Sequence, residues 1–111
     1  MENNINWVLV SCISSALNGF QESYHWDLSV GENSCLFEVF YEELQKGIPR
    51  SKKKVKEIFY KAYEKTWGFD HECHEPSNDE MKFLLCCCMD YFREDNQGDS
   101  RIVFRKIDSL F

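Results

Sequence analysis

Residues able to do chemistry cluster twice in this sequence. His71-Glu72-Cys73-His74 puts three metal-competent side chains into four residues, and Cys86-Cys87-Cys88 adds three consecutive thiols further on. Zinc accepts thiolate and imidazole ligands at tetrahedral geometry, so a site built from Cys73, His71 or His74 and one thiol of the triplet is one reading. The spacing argues against it. Paired C-x-x-C knuckles are missing, and neighbouring cysteines on a helix point about 100° apart. A thiol nucleophile also needs a nearby base and an electropositive setting. His25, His71 and His74 could serve as bases, but the acids around Cys73 would raise its pKa. The triplet therefore reads as small apolar core residues, with Cys88 the most buried of the three. The carboxylate pairs Glu42-Glu43, Asp79-Glu80 and Glu94-Asp95 fall on a helix flank, a helix start and a helix end. Acids at a helix start are explained by the helix dipole alone. No phosphate-cradling glycine loop is present.

Charge is more informative. Between Thr66 and Asp99 there are nine acids against two bases, a formal −7, while the whole chain is −6. The acids are Asp70, Glu72, Glu75, Asp79, Glu80, Asp90, Glu94, Asp95 and Asp99; the bases are Lys82 and Arg93. A field of this sign repels nucleic acid and anionic lipid and attracts cationic protein. Lys52, Lys53, Lys54 and Lys56 form the one dense basic run. They lack interleaved aromatics for stacking, so they read as a solvated helix face or as partners of the acids rather than as a nucleic-acid grip. Glu22-Ser23-Tyr24-His25-Trp26-Asp27 sets aromatics beside carboxylates, the composition of an interface hot spot for a basic surface.

The elements that must position these groups read as helices. Ile5, Val8, Leu9, Cys12, Ile13, Ala16 and Leu17 recur at three and four, with Asn4 as cap and Gly19 as stop. Residues 21–33 read as a loop. A second helix is expected from about Ser34 to Lys46, with Leu36, Val39, Phe40 and Leu44 inside and Gly47-Ile48-Pro49 as its ending. Ser51 caps a third, lined by Val55, Ile58, Phe59, Ala62 and Thr66 and stopped by Gly68. A loop from Phe69 to Pro76 follows. Ser77 and Glu80 form a capping box for a fourth helix running to about Glu94, with Met81, Leu84, Leu85, Cys88 and Phe92 on its main stripe. A fifth helix, capped by Ser100, carries Val103, Ile107 and Leu110, although Ile102 and Phe104 could also alternate in a strand.

The expectation is a single all-α domain over residues 1–111, an irregular bundle of four or five helices. The even cysteine count does not read as a disulfide framework. The start Met1-Glu2-Asn3-Asn4 has no basic region of a signal peptide, so the chain reads as cytoplasmic with reduced thiols. No apolar stretch has the length of a membrane span. In character the chain resembles a bacterial immunity protein, a small acidic helical inhibitor that neutralises a cationic toxin such as a nuclease. A phage inhibitor that mimics nucleic acid has the same composition. No family motif accompanies the likeness, so no residue role is carried over from it. The functional expectation is a non-enzymatic, protein-binding toxin inhibitor that needs no cofactor or metal. Its basic protein partner would be held by Tyr24, Trp26, Asp27, Asp70, Glu72, Glu75, Asp79 and Glu80. The alternative is a small metal- or thiol-dependent regulator or enzyme using His71, Cys73, His74 and Cys86 to Cys88.

Overall fold

A computed structural model describes residues 4–68 and 75–111. Among these residues there are six α-helices and one 3-10 turn, and no strand. The helices are α1 (Trp7–Ser23), α2 (Val30–Leu44), α3 (Lys52–Trp67), α4 (Asn78–Cys87), α5 (Met89–Arg93) and α6 (Ser100–Asp108); the 3-10 turn is Glu94–Asn96. The all-α expectation holds, and α6 resolves the helix-or-strand ambiguity of the tail. Among the described residues no helix is long and apolar enough to cross a membrane.

The helix starts follow from side chains that satisfy orphan backbone donors. Asn6 caps α1 by accepting from the Leu9 N–H at 3.0 Å, two residues later than the sequence suggests. Ser51 caps α3, as read from the sequence. Asp99, not Ser100, caps α6. Two starts share a device. In α2 and α4, Ser29 with Glu32 and Ser77 with Glu80 form complete capping boxes. Each glutamate bonds its cap N–H through Oε1. Each then accepts a tryptophan indole N–H through Oε2, Trp67 onto Glu32 and Trp26 onto Glu80.

Three further boundaries differ from expectation. First, α1 continues past Gly19 to Ser23. Gly19 is an interior helical position against which the Phe83 ring rests; a Cβ there would lie 2.2 Å from Phe83 Cζ. Second, α2 begins at Val30 because the Ser29 box nucleates it, so residues 30–33 are helix rather than loop. Third, the fourth helix is broken at Cys88, whose φ of −96° and ψ of 12° separate α4 from α5. The N–H groups of Tyr91 and Phe92 then both turn to the Cys88 carbonyl.

The core is one cluster. It joins Leu9, Ile13 and Leu17 of α1 to Leu36 and Phe40 of α2, Val55 and Phe59 of α3, Leu84 and Leu85 of α4, and Val103 and Ile107 of α6. After α2, Gly47 takes a φ of 107°, open to glycine and strained for other residues, and Ile48 folds back onto the core as the Gly-Ile-Pro signal implies. The lysine face of α3 is largely committed inside the molecule. Lys61 reaches Glu43 at 3.0 Å and Lys65 reaches Glu38 at 2.8 Å, both on α2; Lys54 meets Glu57, and Lys56 pairs with Glu75.

Candidate protein-binding surface

Two clusters of aromatics and acids emerge, and they differ in what water can reach. The first holds the residues singled out from the sequence. Tyr24 follows α1, and Trp26 folds back so that its ring stacks on Phe20, centroids 4.3 Å apart. Its indole N–H donates to Glu80 Oε2 at 2.6 Å. Tyr24 packs on Phe83 and its hydroxyl donates to the Asp79 carbonyl at 3.4 Å. The segment 24–27 and the start of α4 therefore do meet, as one binding surface would require. They meet through buried groups: Trp26 is 8% exposed and Glu80 is 5% exposed. Trp26 is not the exposed anchor that the sequence suggested, and both oxygens of Glu80 serve internal donors. Tyr24 is half-buried, while Asp27 and Asp79 are exposed. Glu75 is exposed but held by Lys56, whose ammonium lowers its pKa. Asp70 and Glu72, with His71, Cys73 and His74, lie outside the described residues.

The second cluster was not singled out. Ile5 and Val8 belong to the apolar spacing of the first helix, yet they are 51% and 40% exposed. Trp7, unassigned by that spacing, is 68% exposed. The α1 stripe that reaches the core starts only at Leu9. Trp7, Val8, Ser11 and Ser15 of α1 line one side of a groove of about 400 Å³, and Cys87 and Asp90 line the other. The side chain of Asp90 is 72% exposed, and Arg93 approaches it no closer than 3.8 Å. Glu94, one helical turn beyond Asp90, and Asp95 are exposed as well. These three acids come from the −7 segment and keep their charge at the surface. Of the other described acids, Glu75 pairs with Lys56, Glu80 serves a capping box and Asp99 caps α6, while Asp79 is exposed at the start of α4. A sequence signal was available: Trp7 stands beside Val8 and Leu9, and three successive residues on a helix span about 200°, so all three cannot face the core.

Two thiols, Cys12 and Cys87, line this groove. Cys88 is 0% exposed, Cys12 is 7% exposed, and Cys86 and Cys87 are half-buried. Cys88 is thus the most buried of the triplet. A hydrogen bond from the Cys88 thiol lowers the Cys12 pKa to about 7, against the opposing pull of burial and of Asp90. Cys88 itself is pushed up by the same contact and by burial, and burial lifts Cys87 to about 11. Among the described residues no group of three His, Cys, Asp or Glu side chains converges on a metal position. Chemically, the arrangement offers desolvatable apolar surface beside an exposed carboxylate that is only loosely paired with Arg93. Comparison with family models, with curated proteins and with solved structures finds no significant match for this chain.

Proposed function

We propose that this chain is a protein-binding inhibitor that masks a basic protein, in the manner of an immunity protein neutralising a cationic toxin such as a nuclease. One observation carries the reading. Asp90 stands exposed in the same groove as the exposed Trp7 and Val8, with the exposed Glu94 one helical turn further on, whereas four lysines of α3 are held in ion pairs. The surface charge that remains available at this end is negative, and an aromatic lies within it. Charge of this kind speeds encounter with a cationic surface, and a desolvated aromatic slows escape. A nuclease must keep a cationic groove for its phosphate substrate, so an acidic body seated there blocks catalysis by occupancy alone.

Complex formation with the basic protein recovered from the native host tests this. The association rate should fall steeply with added salt. Reversing both acids, Asp90→Lys with Glu94→Lys, should slow association about tenfold and flatten the salt dependence. If the partner is a nuclease, the complex should be inactive on nucleic acid. An acidic partner, or binding that strengthens with salt, overturns the reading. Loss of binding on neutralising Arg50, Lys52 and Lys53, with the acid variants unaffected, inverts it.

A further inference from the structure

We propose that the groove between the start of α1 and α5 is the docking cleft for an arginine-bearing apolar segment of the basic partner, with the guanidinium lying on the Trp7 indole and pairing with the Asp90 carboxylate. This rests on the reading above that the partner is basic, and it adds where that partner is held and by which side chain.

The argument starts from what the groove offers. Trp7 presents an indole face that is 68% exposed, and Val8 and Ile5 extend the apolar surface beside it. Asp90 stands in the opposite wall with its side chain 72% exposed, and Glu94 follows one turn later, in the 3-10 turn after α5. Arg93 is the nearby base, and its ion pair with Asp90 is long, at 3.8 Å, and exposed on both sides, so it contributes little. An exposed indole and an exposed, loosely paired carboxylate in one groove match two separate properties of arginine. Its planar guanidinium stacks on aromatic rings while its edge donates two parallel hydrogen bonds to a carboxylate. Lysine satisfies the charge but neither the stacking nor the fork. Ser11 and Ser15, exposed along the α1 side of the groove, can bond the backbone of an incoming segment. The positive pole of the α1 N-terminus does not dominate here, because the Asn6 side chain accepts the Leu9 N–H and the Asn6 N–H is taken by the Tyr41 hydroxyl.

Charge decides among occupants. A second copy of this chain carries the same −6 and is repelled. Nucleic acid and anionic lipid meet the same acids and are repelled too. What remains is a cationic protein segment whose neighbouring side chains are apolar enough to cover Val8 and Ile5.

The test uses the full chain, isotopically labelled, and the peptide acetyl-Leu-Arg-Leu-Arg-Leu-amide as probe, at low salt. A control peptide carries citrulline, a neutral isostere, for both arginines. The arginine peptide should shift the Trp7 indole N–H and the amides of Ser11, Ser15 and Asp90. The Trp26 and Trp67 indoles, bonded to Glu80 and Glu32, should hold still. The citrulline peptide, Trp7→Ala and Asp90→Asn should each weaken binding at least about fivefold. Both residues are largely exposed, so both variants should fold; unchanged Trp26 and Trp67 indole shifts will confirm it. Equal binding of the citrulline peptide overturns the role of the guanidinium. Shifts confined to Asp27 and Asp79 overturn the location but leave the proposed function standing, since the basic partner would then bind at the other acidic end. No shift at all with the arginine peptide overturns the cleft assignment, while the salt dependence of the native complex still judges the function separately.

Discussion

Trp26 with Glu80 and Trp7 with Asp90 are the same kind of pair, an indole and a carboxylate brought together from distant parts of the chain. At the first, the indole stacks on Phe20 and donates into a capping box, and 8% of Trp26 remains in contact with solvent. At the second, indole and carboxylate stand exposed across an open groove. The first pair holds α4 against α1; the second leaves its surface for something else. Composition therefore does not separate a binding hot spot from a structural clamp. The difference lies in whether each polar atom has already found an internal partner.

Substitution at the two tryptophans should produce the widest contrast. Trp26→Ala removes a buried ring and should lower unfolding free energy by about 3–5 kcal/mol, measured by urea denaturation. Trp7→Ala should change it by less than about 0.5 kcal/mol, as exposed positions do. Comparable losses at both sites would erase the distinction. A smaller effect is expected beside the clamp, at Gly19. A methyl group there meets the Phe83 ring, itself packed on Phe20 and Tyr24. The ring must move, at a cost of about 1–3 kcal/mol, offset by up to about 1 kcal/mol from the better helix propensity of alanine. Net destabilisation of Gly19→Ala, relieved by shortening Phe83 to leucine in the double variant, would place the contact; a stabilised Gly19→Ala would refute it.

The smallest effect concerns the ion pairs that keep α3 from competing with the acidic end. Hydrogen bonds from Lys61 and Lys46 hold the Glu43 carboxyl below its ordinary pKa. A depressed folded-state pKa adds stability above the unfolded value, and that stability is lost as pH falls through the folded one. Glu43→Gln should therefore cost about 0.5 kcal/mol near neutrality and nothing in strong acid. A loss that persists in acid would show that the side chain matters by packing instead.

Much of the scaffold was legible because its signals are local. The Ser51 cap, the Gly47-Ile48-Pro49 ending and the Ser77–Glu80 box each act within a few residues and appear where read. The Ser29–Glu32 box is equally local, but Gly31 and Asn33 disguise it as a loop. The Cys88 break and the passage of α1 through Gly19 were illegible for other reasons. The passage through Gly19 depends on the Phe83 ring packed against it, and no glycine, proline or capping residue marks the break at Cys88. The binding surface was half legible. The excess of acid was plain from the sequence, but which acids remain free is decided by tertiary partners. Glu80 is consumed by Ser77 and Trp26, and Glu75 is engaged by Lys56, while Asp90, Glu94 and Asp95 stay exposed.

The unequal settings of the tryptophans also divide the chain's intrinsic fluorescence into separate channels. Trp26 is shielded by Phe20 and screened from collisional quenchers, so its emission follows the integrity of the bundle. Trp7 emits from water, within the field of Asp90 and Glu94. That field should make caesium a better quencher of Trp7 than iodide, since one ion is drawn in and the other pushed away. With the third tryptophan removed as Trp67→Phe, the remaining light carries two readings at once, one of the bundle's integrity and one of the local electrostatic potential at its open groove.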